Sequence, residues 1–121
     1  MTTIKSFTDL SQSKTLSKIL PIESADMSYS FNFDSGIYEI STTPYKSWVV
    51  PKYAQPDDGF GQVIPCWSLA ALLGALPSST LDSSNDHYYM LHCMGQITGR
   101  HENPIDTCYE MIVGLHGLKM L

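Results

Sequence analysis

The sequence has little charge of either sign, and its positive charge is not concentrated anywhere. Charged residues make up 16% of the 121 positions, against about 25% in an average globular domain. The seven basic residues are scattered along the chain: Lys5, Lys14, Lys18, Lys46, Lys52, Arg100 and Lys119. Because binding to a phosphate backbone requires clustered Lys and Arg, and because the net charge is −5, the sequence predicts no non-specific binding to nucleic acid. A sparsely charged surface instead favours a protein partner or a homo-oligomer.

Cysteine and long apolar runs are also scarce. The three cysteines, Cys66, Cys93 and Cys108, are odd in number and far apart, so they cannot form a closed disulfide framework. The longest apolar stretch, residues 69–76, is much shorter than the roughly 20 residues of a membrane-spanning helix. The N-terminal residues lack the continuous apolar segment of a signal peptide. We therefore predict one cytoplasmic domain over residues 1–121, without a membrane segment and with a flexible lead-in at 1–10.

No spacing of histidine and cysteine in the sequence is typical of a metal site. Six of these residues fall close together: His87, His92, Cys93, His101, Cys108 and His116. Zinc sites bring their ligands in close pairs, so that one turn presents two donors together. His87 and His92 lie on a predicted strand, where their odd separation places them on opposite faces. The sequence thus predicts no metal and no cofactor.

Residues suited to catalysis are present but lack the expected surroundings. Cys66 precedes a predicted helix, whose N-terminus would lower a thiol pKa, yet no local motif connects it to a particular histidine. Asp57 and Asp58 are adjacent in a loop rich in Pro and Gly. Both carboxylates should be solvated there, whereas acid–base pairs need environments that separate their pKa values. The glycines match neither a P-loop nor a dinucleotide-binding motif, and no catalytic residue is predicted.

The N-terminal half contains a helix followed by strands. Apolar residues at helical spacing predict a first helix over about 9–20, with Thr8 or Ser11 as its N-cap. Alternation of apolar and polar residues over 27–33 predicts a strand. A turn at 34–36, whose glycine can adopt positive φ, leads to an antiparallel return strand at 37–41. A third strand is predicted at 47–50, and the following residues have loop composition.

The C-terminal half contains two further helices with recognisable starts. Ser68 is the expected N-cap of a helix over about 68–76, whose leucines and alanines predict the central helix of the core. Asn103 as N-cap and Pro104 in the first turn begin a helix over about 104–118. Its expected buried stripe consists of Ile105, Cys108, Ile112 and Leu115.

Between these two helices the sequence predicts a polar link and then strands. The link covers 78–86, a buried strand covers 87–94, and a return strand covers 96–100 after a turn at Gly95. Runs of strands between helices, without strict alternation, indicate the α+β class. The predicted fold is a small antiparallel sheet of about four to five strands packed with three helices.

One segment has the composition of a binding surface. Aromatic and basic residues are interleaved just before and within the start of a long predicted loop: Tyr45, Lys46, Trp48, Lys52 and Tyr53. Tyr and Trp beside cations are typical of partner-binding surfaces. An edge strand with lysines lying along apolar surface would have the same composition. The segment is therefore a candidate binding site with a purely structural alternative.

Three blocks occur in a fixed order: E-S-A-D-M at 23–27, I-P-C-W-S-L-A-A-L-L at 64–73 and N-P-I-D-T-C-Y-E-M-I at 103–112. In this order they resemble a group of small uncharacterised proteins from Bacteroides-type gut bacteria and their prophages or mobile elements. Cys66 and Thr107 stand where alanine is common in that group, and both are small enough to pack. The resemblance implies a bacterial or phage cytoplasmic setting and an accessory role, and it carries no activity.

Three functions remain open from the sequence. The first is a non-enzymatic module that binds a protein partner or itself. The alternative is a small enzyme or small-ligand binder with a cleft near the start of the Trp67 helix, where Cys66, His92 or Asp26 would supply polar groups. The third is a sequence-specific reader of nucleic acid, which would need a basic face. We expect Trp67 and Asp106 to serve packing and helix initiation, and a wet hollow shared by Trp67, Cys66 and Asp106 would contradict that expectation.

Overall fold

The computed structural model describes residues 5–32, 34–45, 63–83 and 88–121, and it confirms the α+β class. The helices are α1 (Leu10–Leu16), α2 (Leu69–Ala75) and α3 (Pro104–Gly117). The strands are β1 (Met27–Asn32), β2 (Ile37–Ser41), β3 (Val63–Cys66), β4 (Ser79–Ser83), β5 (Tyr89–Cys93) and β6 (Gln96–Ile97). In the described residues these strands form two antiparallel sheets of three, rather than the single sheet of four to five that the sequence predicted.

The first sheet has the order β2-β1-β3. Its central strand β1 pairs Tyr29 with Ile40 on one side and with Ile64 on the other. The predicted hairpin turn is confirmed, and Gly36 has a φ of +74°, which a residue without Cβ adopts at no steric cost. The strand predicted at 47–50 lies outside the described residues. Strand β3, which the sequence analysis did not predict, is fully buried and pairs with β1.

The second sheet, of order β4-β5-β6, contains the clearest error of the sequence prediction. Strand β4 lies where the sequence predicted a polar link. That prediction followed from the composition of the segment, in which Leu81 is the only large apolar residue among five positions. Leu81 pairs with the fully buried Leu91 of β5, so this pairing across the sheet overrides the weak local preference. The turn between β5 and β6 has positive φ at Met94 and Gly95, +52° and +80°. Strand β6 has two residues instead of the five predicted.

Helix α3 is the central helix of the core, a role that the sequence analysis gave to α2. Its predicted stripe is confirmed, since Ile105, Cys108, Ile112 and Leu115 are all completely buried. In α2 only Leu72 is classed as buried, while Ala70 and Gly74 are exposed. One of the two predicted side-chain N-caps is confirmed and the other is not. Ser68 caps α2 with its side chain, whereas Asn103 precedes α3 without a side-chain capping bond.

The N-terminal residues are attached to the rest of the domain. Asp9, rather than Thr8 or Ser11, caps α1, and it forms a reciprocal capping box with Gln12. Thr8 is completely buried, and its backbone N–H donates to the carbonyl of Trp67 at 2.9 Å. Residues 5–9 belong to the stretch predicted as a flexible lead-in, and of these Lys5, Phe7 and Thr8 contact other parts of the domain.

None of the described helices is both long enough and apolar enough to cross a membrane. The longest, α3, has 14 residues, fewer than the roughly 20 that a hydrocarbon core requires.

Candidate functional site

Two of the three sequence blocks hold each other in place. The indole N–H of Trp67 donates to Ser24 Oγ at 2.9 Å. The carboxylate of Asp26 accepts from the backbone N–H of Ser68 at 2.9 Å and also from its hydroxyl. Ser68 Oγ in turn accepts from the N–H of Ala71 and so caps α2. These contacts assign Ser24, Asp26 and Ser68 to the start of α2.

Cys66 lies in a closed polar cluster rather than in a cleft. It is completely buried, and its Sγ lies 3.5 Å from both the hydroxyl and the carbonyl oxygen of Thr8. Tyr29 Oη donates to the same carbonyl at 2.8 Å. Burial raises the pKa of the Cys66 thiol, and bonds from Thr8 and Ser13 only partly oppose it. A raised pKa lowers the fraction of thiolate at neutral pH, and the thiolate is the reactive form.

The cleft proposed near the Trp67 helix does not bring its polar residues together. Trp67 and Cys66 are both completely buried, and the carboxylate of Asp26 accepts from the backbone N–H and the hydroxyl of Ser68, the N-cap of α2. His92 is on the second sheet, where its Nε2 lies 2.9 Å from Asp82 Oδ2. Neither of the two hollows described below is lined by any of the four cleft residues, and of Trp67, Cys66 and Asp106 only Asp106 lines one of them.

The aromatic and basic segment is only partly described. Tyr45 belongs to the main core cluster and is 4% exposed, so its ring packs inside the domain instead of facing a partner. Burial also raises the pKa of its hydroxyl. Lys46, Trp48, Lys52 and Tyr53 lie outside the described residues. A binding role for these four stays a prediction.

The outer side of α3 forms a surface that we call the α3 face, which comprises Ile97, Tyr109, Glu110, Val113, Gly114 and Leu118. Two adjoining hollows of about 560 and 130 Å³ lie along it and share Glu110 and Gly114. Of the large hydrophobic side chains that are exposed in the described residues, three line these hollows: Ile97 at 61%, Leu118 at 56% and Val113 at 37%. The α3 face is therefore an apolar surface with a depression on each side of Gly114.

A charged network borders the larger hollow at the start of α3. Lys5 Nζ lies 2.8 Å from Asp106 Oδ1 and 3.2 Å from Asp9 Oδ2, and Gln12 Nε2 donates to Asp106 Oδ1 at 2.8 Å. Partial burial alone would raise the pKa of Asp106, but the bonds from Lys5 and Gln12 outweigh it and lower that pKa. The same contacts raise the pKa of Lys5 against the opposing effect of its desolvation. Both groups are therefore charged at neutral pH.

Glu110 connects α3 to the chain that follows β6. Its Oε1 lies 2.7 Å from His101 Nε2, and its Oε2 accepts from the backbone N–H of Gly99 at 2.9 Å. His101 also forms a β-bridge with Tyr89. Burial would raise the pKa of Glu110, yet the bonds from His101 and Gly99 lower it. This carboxylate is ionised and has both oxygens occupied by bonds within the domain.

The residues along the α3 face lack several of the groups that catalytic sites commonly use. The residues that line the two hollows include no Ser, Cys or Lys in the described part of the chain. The hydroxyl of Thr98, which lines the smaller hollow, already bonds to the backbone N–H of Leu91 and the carbonyl of Gly99. In the described part of the chain, no group of three His, Cys, Asp or Glu side chains is placed to hold a metal ion. No protein-family profile, curated protein or solved structure matches the chain.

Sequence reasoning did not identify the α3 face. His101 was considered only as a metal ligand, and Glu110 only as part of a sequence block. One signal was available: Val113 and Leu118 are apolar residues on α3 and just beyond it that do not belong to the predicted buried stripe. Ile97 could not have been added from sequence, because its position depends on the packing of the second sheet against α3.

Proposed function

We propose that the protein is a non-enzymatic interaction module that binds a partner protein, or a second copy of itself, through the α3 face. The observation that carries the proposal is the concentration of Ile97, Val113 and Leu118 around two adjoining hollows. Solvated apolar patches with neighbouring depressions are typical of protein interfaces, because side chains of the partner can fill the depressions and exclude water.

The chemical state of the candidate catalytic groups also supports a binding role. Burial raises the pKa of each thiol, that of Cys108 to about 12. Glu110 has both oxygens bonded, and it holds His101 against α3. In contrast, the exposed apolar side chains of the α3 face have no structural purpose that the described contacts explain.

A cytoplasmic setting in a Bacteroides-type bacterium, its prophage or a mobile element is part of the proposal. It rests on the three sequence blocks alone. An accessory role agrees with a module that acts by occupying another protein rather than by turning over a substrate.

Site-specific photo-crosslinking tests the proposal. A photo-reactive phenylalanine analogue replaces Leu118 on the α3 face in one variant and the exposed Ala70 of α2 in a control variant. Both are expressed in a Bacteroides-type host and irradiated, and adducts are identified by mass spectrometry. We expect one predominant adduct from position 118, which Gly114→Arg removes by filling the space between the hollows. Equal adducts from both positions, or an adduct that survives Gly114→Arg, would contradict the proposal.

A small-molecule site is the second candidate, since the larger hollow at about 560 Å³ has the size of many ligand pockets. Fragment screening by NMR distinguishes the two functions. A ligand site should collect fragments in that hollow with a common polar contact at Gln12 or Asp106. A protein interface should bind apolar fragments weakly along Val113 and Leu118.

A further inference from the structure

We infer that the partner of the α3 face is a basic amphipathic helix of another protein, whose apolar side enters the two hollows while its Lys or Arg side chains meet the carboxylates beside them. The inference rests on the proposed function, and it adds the chemical class of the partner.

The charges around the α3 face favour a basic partner. Three carboxylates, those of Asp9, Asp106 and Glu110, lie at or beside the larger hollow, together with the ammonium of Lys5 and the imidazole of His101, whose Nε2 is 2.7 Å from Glu110 Oε1. In the described residues no Lys or Arg lines either hollow. The contacts of Asp106 and Glu110 keep both carboxylates ionised at neutral pH. A partner that brings positive charge to this rim therefore gains attraction on approach and in the complex.

The same charge argues against a second copy as the occupant. The chain has a net charge of −5, so two copies repel each other at long range. A two-fold interface across the α3 face would also place each acidic rim near its own copy. A basic partner avoids both costs.

The shape of the α3 face favours a helical partner. Gly114 separates the hollows, and a Cβ built on it meets no atom within 4 Å, so a partner helix can approach the backbone of α3 there. The flanking hollows of about 560 and 130 Å³ can hold a large and a small apolar side chain. Apolar residues spaced three or four apart along a helix would reach both hollows from one side.

Three synthetic peptides of equal length test the inference with the purified protein. They share one helical apolar stripe of leucines and differ only in the polar positions, which are Lys, Gln or Glu. Binding is measured by fluorescence anisotropy at low and high salt. We expect the Lys peptide to bind roughly tenfold more tightly than the Gln peptide, equivalent to about 1.4 kcal/mol, and we expect salt to reduce that difference.

Two matched pairs of variants locate the binding. Gly114→Arg should abolish it, whereas Gly74→Arg, which adds the same side chain to an open position on α2, should not. Asp106→Asn should weaken binding of the Lys peptide more than Asp34→Asn, which removes a charge from the exposed hairpin turn. Circular dichroism checks that each variant is folded.

Each outcome of the peptide and variant experiments either supports or contradicts the inference. Tighter binding of the Lys peptide that Gly114→Arg abolishes supports it. Equal binding of the three peptides, sensitive to Gly114→Arg, overturns the basic partner and leaves the α3 face as an interface. Binding that Gly114→Arg does not change, or the absence of any binding, also contradicts the inference. The proposed function is judged separately by the adduct at position 118, which depends on no peptide.

Discussion

Lys5 and Asp106 are 101 positions apart in the sequence, and the Nζ of Lys5 lies 2.8 Å from the Oδ1 of Asp106. This contact joins the N-terminal segment to the first turn of α3. The backbone N–H of Lys5 also donates to Asn103 Oδ1 at 2.6 Å, which explains why Asn103 does not cap its own helix. The start of α3 is thus built from both ends of the chain, and its carboxylates form the rim of the α3 face.

The stability of the domain should fall at acid pH because of Asp106 and Glu110. Their contacts lower the pKa of each below the ordinary values of 3.8 and 4.5. The unfolded chain therefore binds protons at a higher pH than the folded chain, so stability from these groups is complete above the unfolded pKa values. It is lost as pH falls through the lower folded values.

Urea unfolding at a series of pH values measures this effect. We expect the free energy of unfolding to decline as pH drops below about 4.5. Asp106→Asn should flatten part of the decline, while Asp34→Asn on the hairpin turn should leave it unchanged. A decline of equal slope in both variants would show that repulsion among the other charges dominates.

The bond between Trp67 and Ser24 gives a second prediction. Ser24→Ala should destabilise the domain by about 1–3 kcal/mol, because the indole N–H of a completely buried Trp67 would lose its acceptor. A matched control is Ser35→Ala, since Ser35 is exposed in the hairpin turn. Both are measured by chemical denaturation.

A double-mutant cycle separates this bond from other effects of the substitution. In a Trp67→Phe background, which has no indole N–H, Ser24→Ala should cost less than it does in the native sequence. Equal costs in the two backgrounds would mean that Ser24 acts through its other bond, to the carbonyl of Pro21.

Features set by neighbouring residues could be predicted from the sequence, and features set by distant ones could not. The buried stripe of α3, the Ser68 cap and the β1–β2 hairpin all depend on residues a few positions apart. Strand β4 was missed because its polar sequence becomes a strand only by pairing with β5. The two hollows along the α3 face are lined from three separate segments, around Gln12, Ile97 and Gly114, and no local pattern brings these segments together.

Two glycines should respond in opposite ways to substitution by alanine. Gly114 lies within α3 with open space around it, so Gly114→Ala should stabilise the domain by about 0.5–1 kcal/mol through helix propensity. Gly36 has a φ of +74°, so Gly36→Ala should destabilise it by about 1–2 kcal/mol. Thermal unfolding measures both. A destabilising Gly114→Ala would show that α3 is packed more tightly at this position than the structure indicates.

The three thiols should resist modification in the native state. Cys66 and Cys108 are completely buried and Cys93 is 3% exposed, and burial raises the pKa of all three. Because only the thiolate reacts readily, an aromatic disulfide reagent at mildly alkaline pH should label the protein slowly. Labelling should accelerate in urea as the domain opens.

The order in which the three thiols are labelled distinguishes a binding module from an enzyme. Cys93 should react first, since it ends β5 beside the exposed turn at Met94 and Gly95, and Cys93→Ala should remove the fastest phase. Cys66 should react only with opening of the contact between the N-terminal segment and β3, because Thr8 covers its sulfur. Rapid native labelling of Cys66 would show an accessible thiolate beside the start of α2, and the enzymatic alternative would then be favoured over a binding module.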